Sequence, residues 1–165
     1  MPILDANTLD FISRSPDQTR RVGMRLGALL NPGDVVCLQG DLGAGKTTFV
    51  QGLAQGWGSL DSVSSPTFII VNVYRRADES ELYHLDTYRL ESAPEAAMLD
   101  LDDMLDAGPL VIEWPERIES VLPNERLWLQ LEYIDEEQRR IQVMANGKKY
   151  EDFIEELRQT ALGDN

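Results

Sequence analysis

Residues Gly40-Asp41-Leu42-Gly43-Ala44-Gly45-Lys46-Thr47 satisfy G-x-x-x-x-G-K-[ST] at every fixed position. That pattern suits one task, holding a polyphosphate. Glycines let the backbone curl with its N–H groups pointing inward, a shape that a side chain makes costly. The helix that follows presents its positive end to the phosphates. Lys46 is a mobile cation for the β- and γ-phosphates, and the Thr47 hydroxyl is a Mg²⁺ ligand. An N-K-x-D tetrad for guanine is not found, since Asn146-Gly147-Lys148-Lys149 does not fit. ATP is therefore the favoured nucleotide.

Such a site also needs an acid at a strand end to hold Mg²⁺ or its water. Two carboxylates stand in that position. Glu113 closes the apolar run Leu110-Val111-Ile112, and Asp86 closes Leu82-Tyr83-His84-Leu85. Either could hold the metal while the other orients water or accepts a proton, and the sequence leaves that division open. His84 is the one histidine. It alternates with Asp86 along the strand, which puts both on one face. A lone histidine reads as structural first, and a count of one excludes a histidine-cluster metal site.

The elements around these residues follow from periodicity and caps. Ser15, Pro16 and Gln18 read as a helix start with a capping box. Val22, Leu26, Leu29 and Leu30 then share one helical face, and Asn31-Pro32-Gly33-Asp34 stops the helix. Val35 to Leu38 is a buried strand before the phosphate loop, and a helix is expected over Thr48 to Gln55. Thr67–Tyr74 and Glu81–Tyr88 read as a hairpin around Asp78-Glu79-Ser80. Arg126–Tyr133 and Arg139–Ala145 read as a second hairpin, and Asp152–Leu162 as a C-terminal helix. Residues 1–14 carry no clear pattern.

The expected fold is α/β: one P-loop NTPase-like three-layer domain over residues 1–165, with a mixed central sheet containing antiparallel hairpins. Its motif-bearing part is roughly residues 15–145.

The chain has 165 residues, with 15 Lys+Arg against 29 Asp+Glu and a formal charge of −14. That balance argues against binding nucleic acid alone, which needs clustered cations on phosphate, and against an anionic membrane surface. No signal peptide or membrane-length apolar run is visible, so the expected location is cytoplasmic. The single cysteine, Cys37, excludes an intramolecular disulfide and reads as inert packing.

Taken together the residues resemble the TsaE (YjeE) family, the ATPase component of bacterial tRNA threonylcarbamoyladenosine synthesis. The matching stretches are Gly40 to Thr48, Ser65-Pro66-Thr67-Phe68, Tyr83-His84-Leu85-Asp86-Thr87-Tyr88-Arg89, Ile112-Glu113-Trp114-Pro115-Glu116 and Leu122-Pro123. Leu85 and Thr87 depart from the pattern, where Phe and Leu are common.

The resemblance implies ATP bound by Asp41, Leu42, Gly43, Ala44, Gly45, Lys46, Thr47 and Thr48, with Mg²⁺ held by Thr47 and Glu113. Asp86 would be the acid required for hydrolysis, and Ser65, Pro66 and Thr67 a switch loop. Trp114 would lie beside the nucleotide or at a partner surface, and Thr19 near the adenine. The implied partner is a TsaB–TsaD heterodimer that modifies adenosine 37 of tRNA, which the chain, a monomer alone, would bind and reset between turnovers using ATP. It would meet tRNA only through that complex.

A small-molecule or nucleoside kinase on the same scaffold is the alternative. A kinase lid usually carries several arginines, and residues 91–108 contain no Lys or Arg. A nucleotide-dependent binding module with incidental hydrolysis is a third reading.

Overall fold

The computed structural model describes residues 7–63, 71–88, 90 and 100–160. The expected switch loop at Ser65, Pro66 and Thr67 lies outside them, as do Phe68, Arg89, Glu91, Glu95 and positions 161–162 of the expected C-terminal helix. In chain order the described residues form β1 (Thr8–Ser13), α1 (Pro16–Gly27), β2 (Val35–Gln39), α2 (Lys46–Trp57), β3 (Val71–Arg75) and β4 (Glu81–Asp86). Then follow α3 (Leu101–Ala107), β5 (Leu110–Glu113), two 3₁₀ turns (Pro115–Arg117 and Glu119–Val121), β6 (Arg126–Tyr133), β7 (Arg139–Asn146) and α4 (Lys148–Thr160).

All seven strands join one mixed sheet in the order β1-β7-β6-β2-β5-β4-β3. β2 runs parallel to both β5 and β6, and β4 runs parallel to β5. The pairs β3–β4, β6–β7 and β1–β7 are antiparallel. β2 and β5 are apolar along most of their length because helices cover both faces of the sheet there. One core lies under α1, α2 and α4 and contains Val36, Leu38, Val111 and Leu129. The other lies under α3 and the 3₁₀ turns and contains Val35, Cys37, Leu110 and Ile112. Alternate residues of β2, β5 and β6 feed opposite cores, so the fold has three layers as expected. Cys37 is fully buried, and burial pushes its thiol up to about 12, which suits packing.

Both expected hairpins form, the first as Val71–Arg75 against Glu81–Asp86, with residues 67–70 of its expected first strand outside the described residues. The first residues, patternless in the sequence, become edge strand β1, whose partner in β7 lies some 130 residues on. Ser15 caps α1 by accepting from the Gln18 amide at 3.1 Å, while Gln18 Oε1 accepts from the Arg14 amide at 2.6 Å. α1 ends at Gly27, ahead of the expected stop. α2 begins at Lys46, two residues earlier than expected, and α4 begins at Lys148 because Gly147 turns the chain at φ +119°.

α1 and α2 cross with almost no side chain between them. A Cβ at Gly27 would sit 2.0 Å from the Leu53 carbonyl oxygen, and one at Gly52 would sit 2.0 Å from that of Arg20. Gly23 and Gly56 make similar approaches. This contact seats the helix that follows the phosphate loop. No helix of the described residues is long and apolar enough to cross a membrane.

Candidate functional site

The phosphate loop leaves the C-terminal end of the central strand β2 and feeds α2. Gly43 and Gly45 adopt φ of +83° and +98°, a region where other residues are strained. Gly45 is the N-cap of α2, and no side chain caps the first-turn amides. Those donors have no intrahelical acceptor and carry the positive end of the helix dipole.

A cavity of about 320 Å³ opens at this point. It is lined by Leu42, Gly43, Gly45, Lys46, Thr47, Thr48, Asp86, Glu113, Trp114 and Arg139. Three chain segments, far apart in sequence, meet there through the sheet. Glu113 ends β5 opposite Asp86 of β4 on one side and Leu38 of β2 on the other. Both acids therefore stand at the strand ends expected from the sequence, beside the loop.

Lys46 is the most informative side chain. It is 6 % exposed, and its Nζ has no hydrogen-bond partner among the described residues. The ammonium rests 3.9 Å from the centroid of the Trp114 ring, a cation–π contact that partly replaces lost hydration. Burial holds its pKa below the usual lysine value, against the opposing pull of Glu113, Asp86, Glu116 and Asp41. An unsatisfied buried cation facing a cavity fits an anionic ligand.

Asp86 experiences the converse. Burial, aided by the charge of Glu113, holds its carboxyl above the usual aspartate value, although Oδ1 accepts from the Tyr88 amide at 2.9 Å and Lys46 pulls the other way. Glu113 is 4 % exposed and bonded through Oε2 to His84 Nε2 at 2.6 Å.

Trp114 owes its place to backbone. It is one of two non-glycine residues with positive φ among the described residues, at +60°. Thr87 braces this turn: its amide donates to the Glu113 carbonyl at 3.1 Å, and its hydroxyl lies 2.5 Å from the Trp114 carbonyl. A leucine at 87 would lack that hydroxyl. Tyr88 packs on Trp114 with ring centroids 4.8 Å apart.

Thr19 stands apart from the cavity lining. It is 1 % exposed, with its hydroxyl 2.6 Å from that of Ser13 under the start of α1. Asp41 and Ala44 line a second cavity of about 440 Å³, which shares Trp114 with the first.

Two side chains at the site were not singled out for it in the sequence. Arg139, at the start of β7, lies along Gly45, and its guanidinium donates to the carbonyls of Asp135 and Gln138 at 2.5 and 2.8 Å. Its Nε is buried without a hydrogen-bond partner among the described residues, and its charge borders the cavity. No local signal marks this arginine; the β6–β7 hairpin carries it there. His84, read first as structural, touches Glu113, and its alternation with Asp86 was the available signal.

The donor set fits Mg²⁺ accompanied by a nucleotide. No group of three or more His, Cys, Asp or Glu among the described residues could hold a metal unaided. One hydroxyl, one or two carboxylates and ligand phosphates are the usual Mg²⁺ shell.

The family model "Threonylcarbamoyl adenosine biosynthesis protein TsaE" matches residues 13–141. The tRNA threonylcarbamoyladenosine biosynthesis protein TsaE of Bacillus subtilis is 41 % identical over 144 residues, covering 87 % of this chain and 89 % of the relative. The protein of the same name from Treponema pallidum is 41 % identical over 133 residues, covering 80 % and 97 %. A crystal structure of Bacillus subtilis YdiB superposes with a TM-score of 0.76 at 34 % identity, covering 100 % of both chains.

Proposed function

The chain belongs to the TsaE family of threonylcarbamoyl adenosine biosynthesis proteins, and from that premise we infer that it acts in this tRNA modification as a Mg²⁺-dependent ATPase. One observation carries the reading. A buried lysine ammonium with no hydrogen-bond partner among the described residues shares a cavity with an uncapped helix start and two carboxylates at adjacent strand ends.

Each residue then has a part. The loop amides and Lys46 hold the phosphates, and Arg139 adds a second positive charge at the rim. Thr47 and Glu113 are the ligands for Mg²⁺, which when bound neutralises phosphate charge and makes the terminal phosphoryl group more electrophilic. Asp86 lines the same cavity and is the group that orients or deprotonates the attacking water. Trp114 holds the Lys46 ammonium over its ring face at the cavity wall. In this reading hydrolysis by the isolated chain is slow, because a partner completes the cycle.

The partner in this reading is the TsaB–TsaD heterodimer, which the chain binds and resets through ATP binding and hydrolysis. Its charge of −14 suits docking on a basic surface and does not suit holding tRNA alone. The test is ATP hydrolysis by the purified protein, alone and with the TsaB–TsaD pair. Weak activity that rises with the pair supports the reading. No binding to the pair and no stimulation refute the partner role and leave the nucleotide site to be tested by itself.

A further inference from the structure

His84 is the one histidine of the chain, and its side chain is buried. Nε2 lies 2.6 Å from Glu113 Oε2, and Nδ1 lies 2.8 Å from the Tyr74 hydroxyl. A carboxylate only accepts, so Nε2 carries the proton and donates. With both nitrogens engaged, the ring cannot turn without breaking two buried hydrogen bonds.

The register explains the meeting. His84 faces Val111 across β4–β5, and Glu113 lies two residues further along β5. The two side chains therefore project from the same face as diagonal neighbours. Tyr74 lies on the same face, opposite Leu82 across β3–β4. The result is a line of polar groups running from β3 to the cavity through an otherwise apolar layer.

We propose that His84, backed by Tyr74, is a positioning residue for Glu113: it occupies Oε2 and thereby presents Oε1 to the Mg²⁺ that accompanies a bound nucleoside triphosphate. The proposal rests on reading the cavity as a Mg²⁺–nucleotide site. Partners that orient a metal ligand from behind are a common device, and their loss typically weakens the metal about 10- to 100-fold. A histidine that merely filled space would affect stability and leave the metal requirement unchanged.

The test measures binding of a non-hydrolysable ATP analogue by calorimetry, across a Mg²⁺ series and in EDTA. In His84→Leu the Mg²⁺ concentration needed for half-maximal enhancement should rise about tenfold, with affinity in EDTA unchanged. His84→Gln should restore much of the loss, because its amide nitrogen still donates towards Glu113. Tyr74→Phe removes only the distant hydroxyl and should give a smaller rise; it serves as the test if His84→Leu does not fold. ¹⁵N NMR adds a readout free of ligand. A single histidine gives one ring spectrum, and its Nε2–H signal should be protected from exchange and shift in Glu113→Gln.

A wild-type Mg²⁺ requirement in both His84→Leu and Tyr74→Phe overturns the proposal and leaves the nucleotide site standing. An Nε2–H signal indifferent to Glu113→Gln overturns it as well. Wild-type binding that is the same with and without Mg²⁺ overturns the metal reading and this proposal with it.

Discussion

Replacing Lys46 with methionine should have opposite effects on ligand binding and on the fold. Methionine keeps the apolar stem and removes the ammonium. Nζ is buried with no hydrogen-bond partner among the described residues, and its closest favourable contact is the Trp114 ring at 3.9 Å, with a longer-range pull from Glu113 and Asp86. That contact is worth about 1 kcal/mol, while an unpartnered buried polar group costs about 1–3 kcal/mol, so Lys46→Met should leave the apo melting temperature unchanged or raise it. With nucleotide bound, the ammonium would make two charge-assisted hydrogen bonds to phosphates, at about 1.5–3 kcal/mol each. Subtracting the Trp114 contact leaves about 2–5 kcal/mol, or roughly 30-fold to several thousand-fold in Kd. Calorimetric titration with ATP and Mg²⁺ measures the second quantity, and a thermal melt without ligand measures the first. A loss in affinity below about fivefold would refute the phosphate role of the ammonium. An apo melting temperature lower by about 5 °C or more would show that the ammonium is structurally paired.

Asp86→Asn tests the cost of the buried acid. Burial holds this carboxyl above its ordinary 3.8, so ionised Asp86 opposes folding above its folded-state pKa and ceases to do so below 3.8, where both states are protonated. The apo variant should melt higher than wild type near neutrality, and the gain should vanish as pH falls through the carboxylate range; a gain that persists in acid is inconsistent with this cause. Gly27→Ala places a methyl group 2.0 Å from the Leu53 carbonyl oxygen and should destabilise the fold by about 3 kcal/mol or more, lowering the melting temperature by about 10 °C. A change within about 2 °C would mean that α1 and α2 separate readily. Asp34 is fully buried, accepts from the Asn31 amide at 2.7 Å and pairs with Lys149. It lies at the opposite end of β2 from the phosphate loop, so Asp34→Ala should lose about 2–3 kcal/mol in a denaturant titration while leaving ATP affinity intact; equal stability would show that the pair contributes nothing.

The phosphate loop was legible because its information is local. Gly43 and Gly45 specify a backbone path within a few residues, and Lys46 and Thr47 follow at the helix start that this path creates. The strands at Val35 and Leu110 were legible for a related reason: an apolar run flanked by turn residues has few other places to go. With strand ends expected at Asp86 and Glu113, both acids could be nominated before their neighbours were known. β1 was not legible. Its residues Thr8–Ser13 have no strong pattern, and they become a strand only because β7 offers an edge to pair with.

What the chain by itself determined, then, is a phosphate loop between a buried strand and a helix, two strand-end acids, and an α/β class. The tertiary structure alone decided which groups meet. Strand order set β4 beside β5, and pleat parity put His84 and Glu113 on one face, so a histidine 29 positions away in the chain holds the acid. The β6–β7 hairpin carried Arg139 to Gly45, and glycine pairs let α1 lie against α2. Such contacts depend on register and on close backbone approach between distant segments. The same residue types in a different strand order would never touch, and for that reason no local pattern announces them.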